Sequence, residues 1–148
     1  MPPVTITLLD GSGRTVQCRL TWPIPDDRIR AAWANDDDAT RDGAYGIVLA
    51  AVEVHSGLVA LERAYVGTGA DYLVGPPVLA TSMLISGLDY EQASLLEISG
   101  ISRCPDEAAL QRRARLKIRQ ARAGSPDLRT LAGVVAFNML RVVFRSTD

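Results

Sequence analysis

Two short runs of strand-forming residues, Ala70-Asp71-Tyr72-Leu73-Val74 and Leu95-Leu96-Glu97-Ile98-Ser99, each carry one carboxylate inside an otherwise apolar segment. A carboxylate flanked on both sides by apolar strand residues is costly to bury unless it is paired or binds a metal. Strand side chains alternate faces, so Leu95, Glu97 and Ser99 share one face while Leu96 and Ile98 share the other. If the two strands are neighbours, Asp71 and Glu97 converge on one divalent ion. The plainer alternative pairs each acid with an arginine, for instance Arg63 or Arg103.

The rest of the chain can be ordered around these runs. Residues 4–9 and 14–22 predict a β-hairpin: Val4, Ile6 and Leu8 alternate with Thr5 and Thr7, and Asp10-Gly-Ser-Gly supplies the turn. Pro23 and Pro25 end it, and Asp26-Asp-Arg starts a short helix carrying Ile29 and Trp33. Asp36-Asp37-Asp38 lacks the following Gly and Glu of a calcium loop, so it is expected to be a solvated loop or helix start. Strands are expected at 58–66 and 70–75, joined by a tight Gly67-Thr-Gly69 turn that lacks the Gly-Lys-Ser/Thr of a phosphate loop. Residues 78–92 read as a loop crossing the sheet, and 93–99 as the third strand of the group. The run from Leu131 to Arg145 reads as one long strand, or two with a kink near Asn138.

Two helices interleave with these strands. From about Thr40 to Ser56 the pattern is helical and strongly apolar, and Gly57 is a natural stop. At 100° per residue Glu53 shares a face with Gly46, Leu49, Ala50 and Gly57. That small, close-packing face is expected to lie against the sheet with Glu53 pointing inward; the alternative puts Glu53 at the helix edge in solvent. His55, on nearly the opposite face, reads as a surface or packing residue. The second helix runs from Cys104-Pro-Asp-Glu, with Pro105 at its first position, to about Ala123. Leu110, Ala114, Ile118 and Ala121 form an apolar stripe, with Arg112, Arg115, Arg119 and Arg122 opposite. Lys117 falls on the stripe, where an ammonium wants a carboxylate partner. Phosphate contact by the arginine face is one reading, and an ordinary solvated amphipathic face is the other.

Composition narrows the function classes. At 148 residues the chain is most simply one domain, long enough to bury roughly two-thirds of its unfolded surface. Its basic residues are fifteen arginines and one lysine against 17 acids, and a net charge of −1 argues against indiscriminate nucleic-acid binding while leaving room for a local basic face. No apolar run approaches the roughly 20 residues that span a bilayer, and Met1-Pro-Pro-Val-Thr-Ile lacks the features of a signal peptide. Cys18 and Cys104 stand far apart without Cys or His partners, which argues against a zinc site or disulfide scaffold. A reduced, cytoplasmic protein without a membrane partner is expected.

The element order from residue 40 is thus αβββαβ, preceded by a hairpin. That order, with an Asp on the second core strand and Glu-x-Ser on the third, resembles the PD-(D/E)XK nuclease superfamily over residues 40–145. The wider strings Gly67-Thr-Gly-Ala-Asp-Tyr-Leu-Val-Gly75 and Leu96-Glu-Ile-Ser-Gly-Ile101 are also similar to strings in bacterial proteins. The resemblance implies an α+β, restriction-endonuclease-like fold: one domain over 1–148, with a hairpin at 1–25 and a mixed central sheet flanked by helices. It implies that Asp71 and Glu97 bind Mg²⁺ or Mn²⁺, with Glu53 completing or supporting the site, for hydrolysis of DNA phosphodiesters. Ser99 stands at the family's Lys position, where it can hydrogen-bond but supplies no positive charge. Some members are similar in carrying that Lys on a neighbouring element, and Lys117 is the candidate here. If Lys117 does not reach the acids, the resemblance implies a non-cleaving module acting through a protein partner or as a homodimer, to which the hairpin edge lends itself.

Overall fold

The computed structural model describes residues 3–86 and 90–147, and within these a single mixed sheet of seven strands is built. Strands β1 (Val4–Leu9) and β2 (Thr15–Leu20) form the expected hairpin, pairing antiparallel from Val4↔Leu20 to Leu9↔Thr15. A short helix α1 (Asp27–Ala32) and the long helix α2 (Asp36–Ser56) follow. Then come β3 (Val59–Arg63), β4 (Tyr72–Gly75), α3 (Pro77–Ser86), β5 (Ser94–Ile101), α4 (Glu107–Gly124), β6 (Thr130–Ala136) and β7 (Arg141–Ser146). The strand order is β2-β1-β7-β6-β5-β4-β3. Three antiparallel neighbours, β3, β4 and β5, are joined through the α4 crossover to β6, which runs parallel to β5. The protein is therefore of the α+β class, with a mixed sheet flanked by helices, and the hairpin joins the sheet through β1 beside β7.

Side-chain alternation along the central strands sorts the core into two faces. Leu96 and Ile98 of β5, Val135 of β6 and Val142 and Phe144 of β7 pack with Ala44, Val48 and Val52 of α2. Val134, Ala136 and Val143 point the other way, onto Leu110 and Ala114 of α4. The inward face of α2 is therefore the one bearing Ala44, Val48, Ala51 and Val52, spaced four, seven and eight residues from the first. This corrects the expected face: Gly46, Ala50 and Glu53 are exposed, while His55 stacks on Phe144 with ring centroids 5.4 Å apart. Leu49 and Ala50 looked equally apolar, and what decided between the faces was where close approach is available. A Cβ at Gly133 of β6 would overlap Val48 Cγ1, and one at Gly100 of β5 would lie 2.7 Å from the Thr40 carbonyl oxygen, so the sheet admits α2 closely at these two glycines.

Local chemistry explains the helix ends. Asn35 caps α2, its Oδ1 accepting from the Asp37 and Asp38 N–H groups at 3.0 and 3.1 Å. The Asp36-Asp37-Asp38 run is thus the acidic first turn that a helix N-terminus favours, and α2 begins earlier than Thr40. Gly57 closes it at φ 71, the left-handed region. Asp106 caps α4 through the Ala109 N–H at 2.7 Å, so Pro105 lies before the cap rather than at the first helical position. The segment read as a loop over 78–92 is largely α3, begun by Pro77, followed by a single 3₁₀ turn at 90–92; part of that reading, 87–89, lies outside the described residues. Its residues are mostly apolar, broken only by the small hydroxyl residues Thr81, Ser82 and Ser86, which leaves little amphipathic contrast to read. The run from 131 to 145 does break, at a 3₁₀ turn over Phe137–Met139 with Leu140 at φ 52. Asn138 fastens that turn to the start of α4, accepting from the Cys104 N–H at 2.8 Å and donating to its carbonyl at 2.9 Å. No helix among the described residues is long and apolar enough to cross a membrane.

Gly133→Ala is expected to force α2 off the sheet and to cost about 1–3 kcal/mol, the usual range for overpacking a filled core. A thermal or urea melt measures this, and unchanged stability would show that the approach at Val48 is not tight.

Candidate functional site

β4 and β5 bring the two acids together. Tyr72 pairs with Leu96, so continuing the antiparallel register by one residue sets Asp71 opposite Glu97. The Asp71 N–H donates to the Leu96 carbonyl at 2.9 Å. The Asp71 carboxylate is held at both oxygens: Oδ1 accepts from the Tyr45 hydroxyl at 2.8 Å and Oδ2 from the Ile98 N–H at 2.7 Å. Each carboxylate oxygen has two acceptor positions, so both retain capacity for a further partner.

Glu97 projects from the α4 face of β5 and is buried, with 12% of its side chain exposed. Its Oε1 accepts from Lys117 Nζ at 2.6 Å. The one lysine of the chain thus reaches the carboxylate pair from the helix that follows β5. Burial pushes the Glu97 carboxyl above its ordinary range; Lys117 opposes that shift, and the charge of Asp71 adds to it. The expected arginine partners, Arg63 or Arg103, are not the ones these acids take. Ser99, two residues along the same face, accepts from Arg113 Nε at 3.1 Å.

The acids sit in the wall of an open cleft of about 780 Å³ between the first turns of α2 and the inner side of α4, a size suited to a small ligand or one segment of a polymer. Arg41, Arg112, Arg113 and Lys117 line it on the basic side. Arg41 is engaged by Asp38 at 3.0 Å and Asp42 at 2.9 Å. Of the arginine face predicted on α4, Arg112 lines the cleft, whereas Arg115, Arg119 and Arg122 are exposed and lie outside its lining. Glu53, exposed on the outer face of α2, is not part of this constellation.

Two residues of the site, Arg113 and Tyr45, escaped the sequence reading, and a third, Arg63, takes a role other than the expected one. Arg113 lies four residues before Lys117, one helical turn away on the same face, and that spacing could have found it. Tyr45 follows Ala44 on the inward side of α2 and was obscured by the wrong choice of face. Its hydroxyl pKa is pushed up to about 12, chiefly by burial and then by the Asp71 carboxylate, so it remains a donor across the physiological range. Arg63, considered as an ion-pair partner of the acids, is instead held over two aromatic rings. Its guanidinium lies 5.2 Å from the centroids of both Tyr45 and Tyr72, whose rings meet edge to face at 5.8 Å.

Two adjacent carboxylates with a lysine at one of them form an oxygen-donor set of the kind hard divalent cations take. A cation at this position would also offset the charge repulsion between the two acids. Among the described residues no group of three or more His, Cys, Asp or Glu gathers, so the side-chain ligands would be Asp71 and Glu97 alone.

The raised Glu97 pKa has a stability consequence. A carboxyl higher in the folded than in the unfolded state contributes stability that is complete below the unfolded value, 4.5, and lost as pH rises through the folded value. Glu97→Gln removes that loss, so its melting temperature relative to wild type is expected to climb between pH 4 and pH 7. Parallel melting curves of the two proteins across that interval would refute the assignment.

Comparisons with family models, curated proteins and solved structures return no match for this chain.

Proposed function

We propose that the protein is a divalent-metal-dependent nuclease that hydrolyses DNA phosphodiester bonds at Asp71 and Glu97. The observation that carries this reading is the 2.6 Å contact of Lys117 with Glu97 beside Asp71. It offers the positive charge missing at Ser99 from a neighbouring element, and the succession α2-β3-β4-β5-α4-β6, with α3 inserted before β5, is further support for the reading.

In this reading Asp71 and Glu97 hold Mg²⁺ or Mn²⁺, which when bound would acidify a coordinated water and offset charge on the scissile phosphate. Tyr45 and the Ile98 N–H orient Asp71 so that its remaining lone pairs face the cleft. Lys117, which contacts Glu97, would supply positive charge to a phosphate held at the two acids, and a charge fixed in advance needs no reorganisation during reaction. Arg112 and Arg113 offer guanidinium donors to flanking phosphates along the same cleft. Glu53 has no part in it. The reduced cysteines Cys18 and Cys104 fit a cytoplasmic setting.

A second reading is a non-cleaving module of the same fold, working through a protein partner or as a homodimer. It is favoured by the way the Lys117–Glu97 pair satisfies itself and by Ser99 being engaged by Arg113. Titration calorimetry with Mg²⁺ and Mn²⁺ separates the two. The nuclease reading expects saturable binding by wild type that is lost in Asp71→Ala and in Glu97→Ala with folding intact. It also expects Lys117→Ala to lower kcat on DNA about 10²–10³-fold, the range for removing a prearranged electrostatic group. Absence of cation binding by the wild type, with and without DNA, would leave the module reading.

A further inference from the structure

The Gly67-Thr-Gly69 turn has no role in carboxylate chemistry, yet it walls a second cleft, of about 520 Å³, that also contains Asp71 and Glu97. The two acids therefore form a ridge common to both clefts. The second cleft is lined by Arg63, Tyr65 and Val66 from the strand end and the turn, with Gln120 of α4 opposite.

The turn is anchored while its tip is apolar and exposed. Gly67 and Gly69 take φ values of 97 and 70, and the Thr68 hydroxyl donates to the Tyr65 carbonyl at 2.8 Å. A Cβ on Gly69 would lie 2.9 Å from the Gln120 carbonyl oxygen, and one on Gly124 would overlap that of Thr68, so the turn rests backbone to backbone on the end of α4. The same construction leaves Tyr65 68% exposed and Val66 wholly so. Tyr65 follows Ala64, whose N–H donates to the Asp71 carbonyl at 3.0 Å, so the exposed ring is one residue from the strand position beside the acids. Arg63, held over Tyr45 and Tyr72, has no ion-pair partner among the described residues.

We propose that this turn is a base-stacking subsite for an unpaired nucleotide, and that the substrate is a single-stranded polynucleotide running from the first cleft over the acids into the second. Tyr65 receives the face of the base and Arg63 the neighbouring phosphate. A base inside a duplex has both faces covered by its neighbours, so an aromatic ring presented in this way selects strands whose bases are free. The inference rests on the nuclease reading for the nature of the polymer, and the chemistry is shared by single-stranded DNA and RNA.

The test is fluorescence anisotropy in chelator, so that no cleavage occurs, with labelled oligo-dT, oligo-U and a blunt DNA duplex. Wild type is expected to bind the single strands at least about tenfold tighter than the duplex. Tyr65→Ala should weaken single-strand binding about tenfold and leave the duplex unchanged, whereas Tyr65→Phe should retain wild-type affinity. The tighter of the two single strands identifies the polymer. Equal or tighter duplex binding, no binding of any strand, or single-strand affinity indifferent to Tyr65→Ala would overturn the proposal. Tyr65-dependent binding in a protein that takes up no Mn²⁺ would uphold the subsite and sink the nuclease reading. Metal-dependent cleavage without Tyr65 dependence would do the reverse.

Discussion

A buried carboxylate facing a second carboxylate is the condition around which this molecule is arranged. Glu97 gives up much of its hydration beside Asp71, and both effects favour the protonated form. The fold answers with donors drawn from three elements: Lys117 from α4, the Tyr45 hydroxyl from α2 and the Ile98 N–H from β5 itself. A hydrophobic pair at these positions would be easier to bury, since ionic groups in an interior seldom repay their desolvation. Functional sites are where perturbed titration and converging polar groups tend to gather, and here both occur in the wall of a cleft.

The sheet makes that convergence possible by placing its two helices on opposite faces. α2 is drawn close at Gly133, which brings Tyr45 over the β4–β5 seam, while α4 settles on Val134, Ala136 and Val143 and delivers Lys117 from the other side. Asn138 ties the entry of α4 to the turn between β6 and β7, so the helix carrying Lys117 and Arg113 is held at its beginning. Its end is held by the glycine contacts with the β3–β4 turn. A side chain fixed at both ends of its helix is suited to holding a charge in one place, which is what electrostatic catalysis asks of it.

Much of this was legible in the chain. The hairpin, the β3–β4–β5 group and the α4 crossover follow from alternation, turn residues and helix caps, all of which act within a few residues. The positions of Asp71 and Glu97 were legible because an acid in an apolar strand is conspicuous, and Lys117 because its helical phase contradicts its polarity. The short-range signals failed where two answers were locally equivalent. On α2 both Gly46-Leu49-Ala50 and Ala44-Val48-Ala51 are apolar and small, and the mostly apolar α3 has no charged residue to mark an outer face.

By itself the amino-acid order determined the hairpin, the β3–β4–β5 group and the α4 crossover, though not α3, together with the strand faces of Glu97 and Ser99 and the need of Lys117 for a carboxylate. These depend on backbone preference and on periods of two and 3.6 residues, which belong to the local chain. Tertiary structure alone decided which face of α2 turns inward, because that depends on whether a distant glycine opens room for Val48. It likewise excluded Glu53, recruited Tyr45, Arg63 and Arg113, and set a second cleft against the same two acids. Those outcomes arise from contacts between different elements of the fold, such as Tyr45 with Asp71 and Arg113 with Ser99, and apart from the spacing of Arg113 to Lys117 no local pattern encodes them.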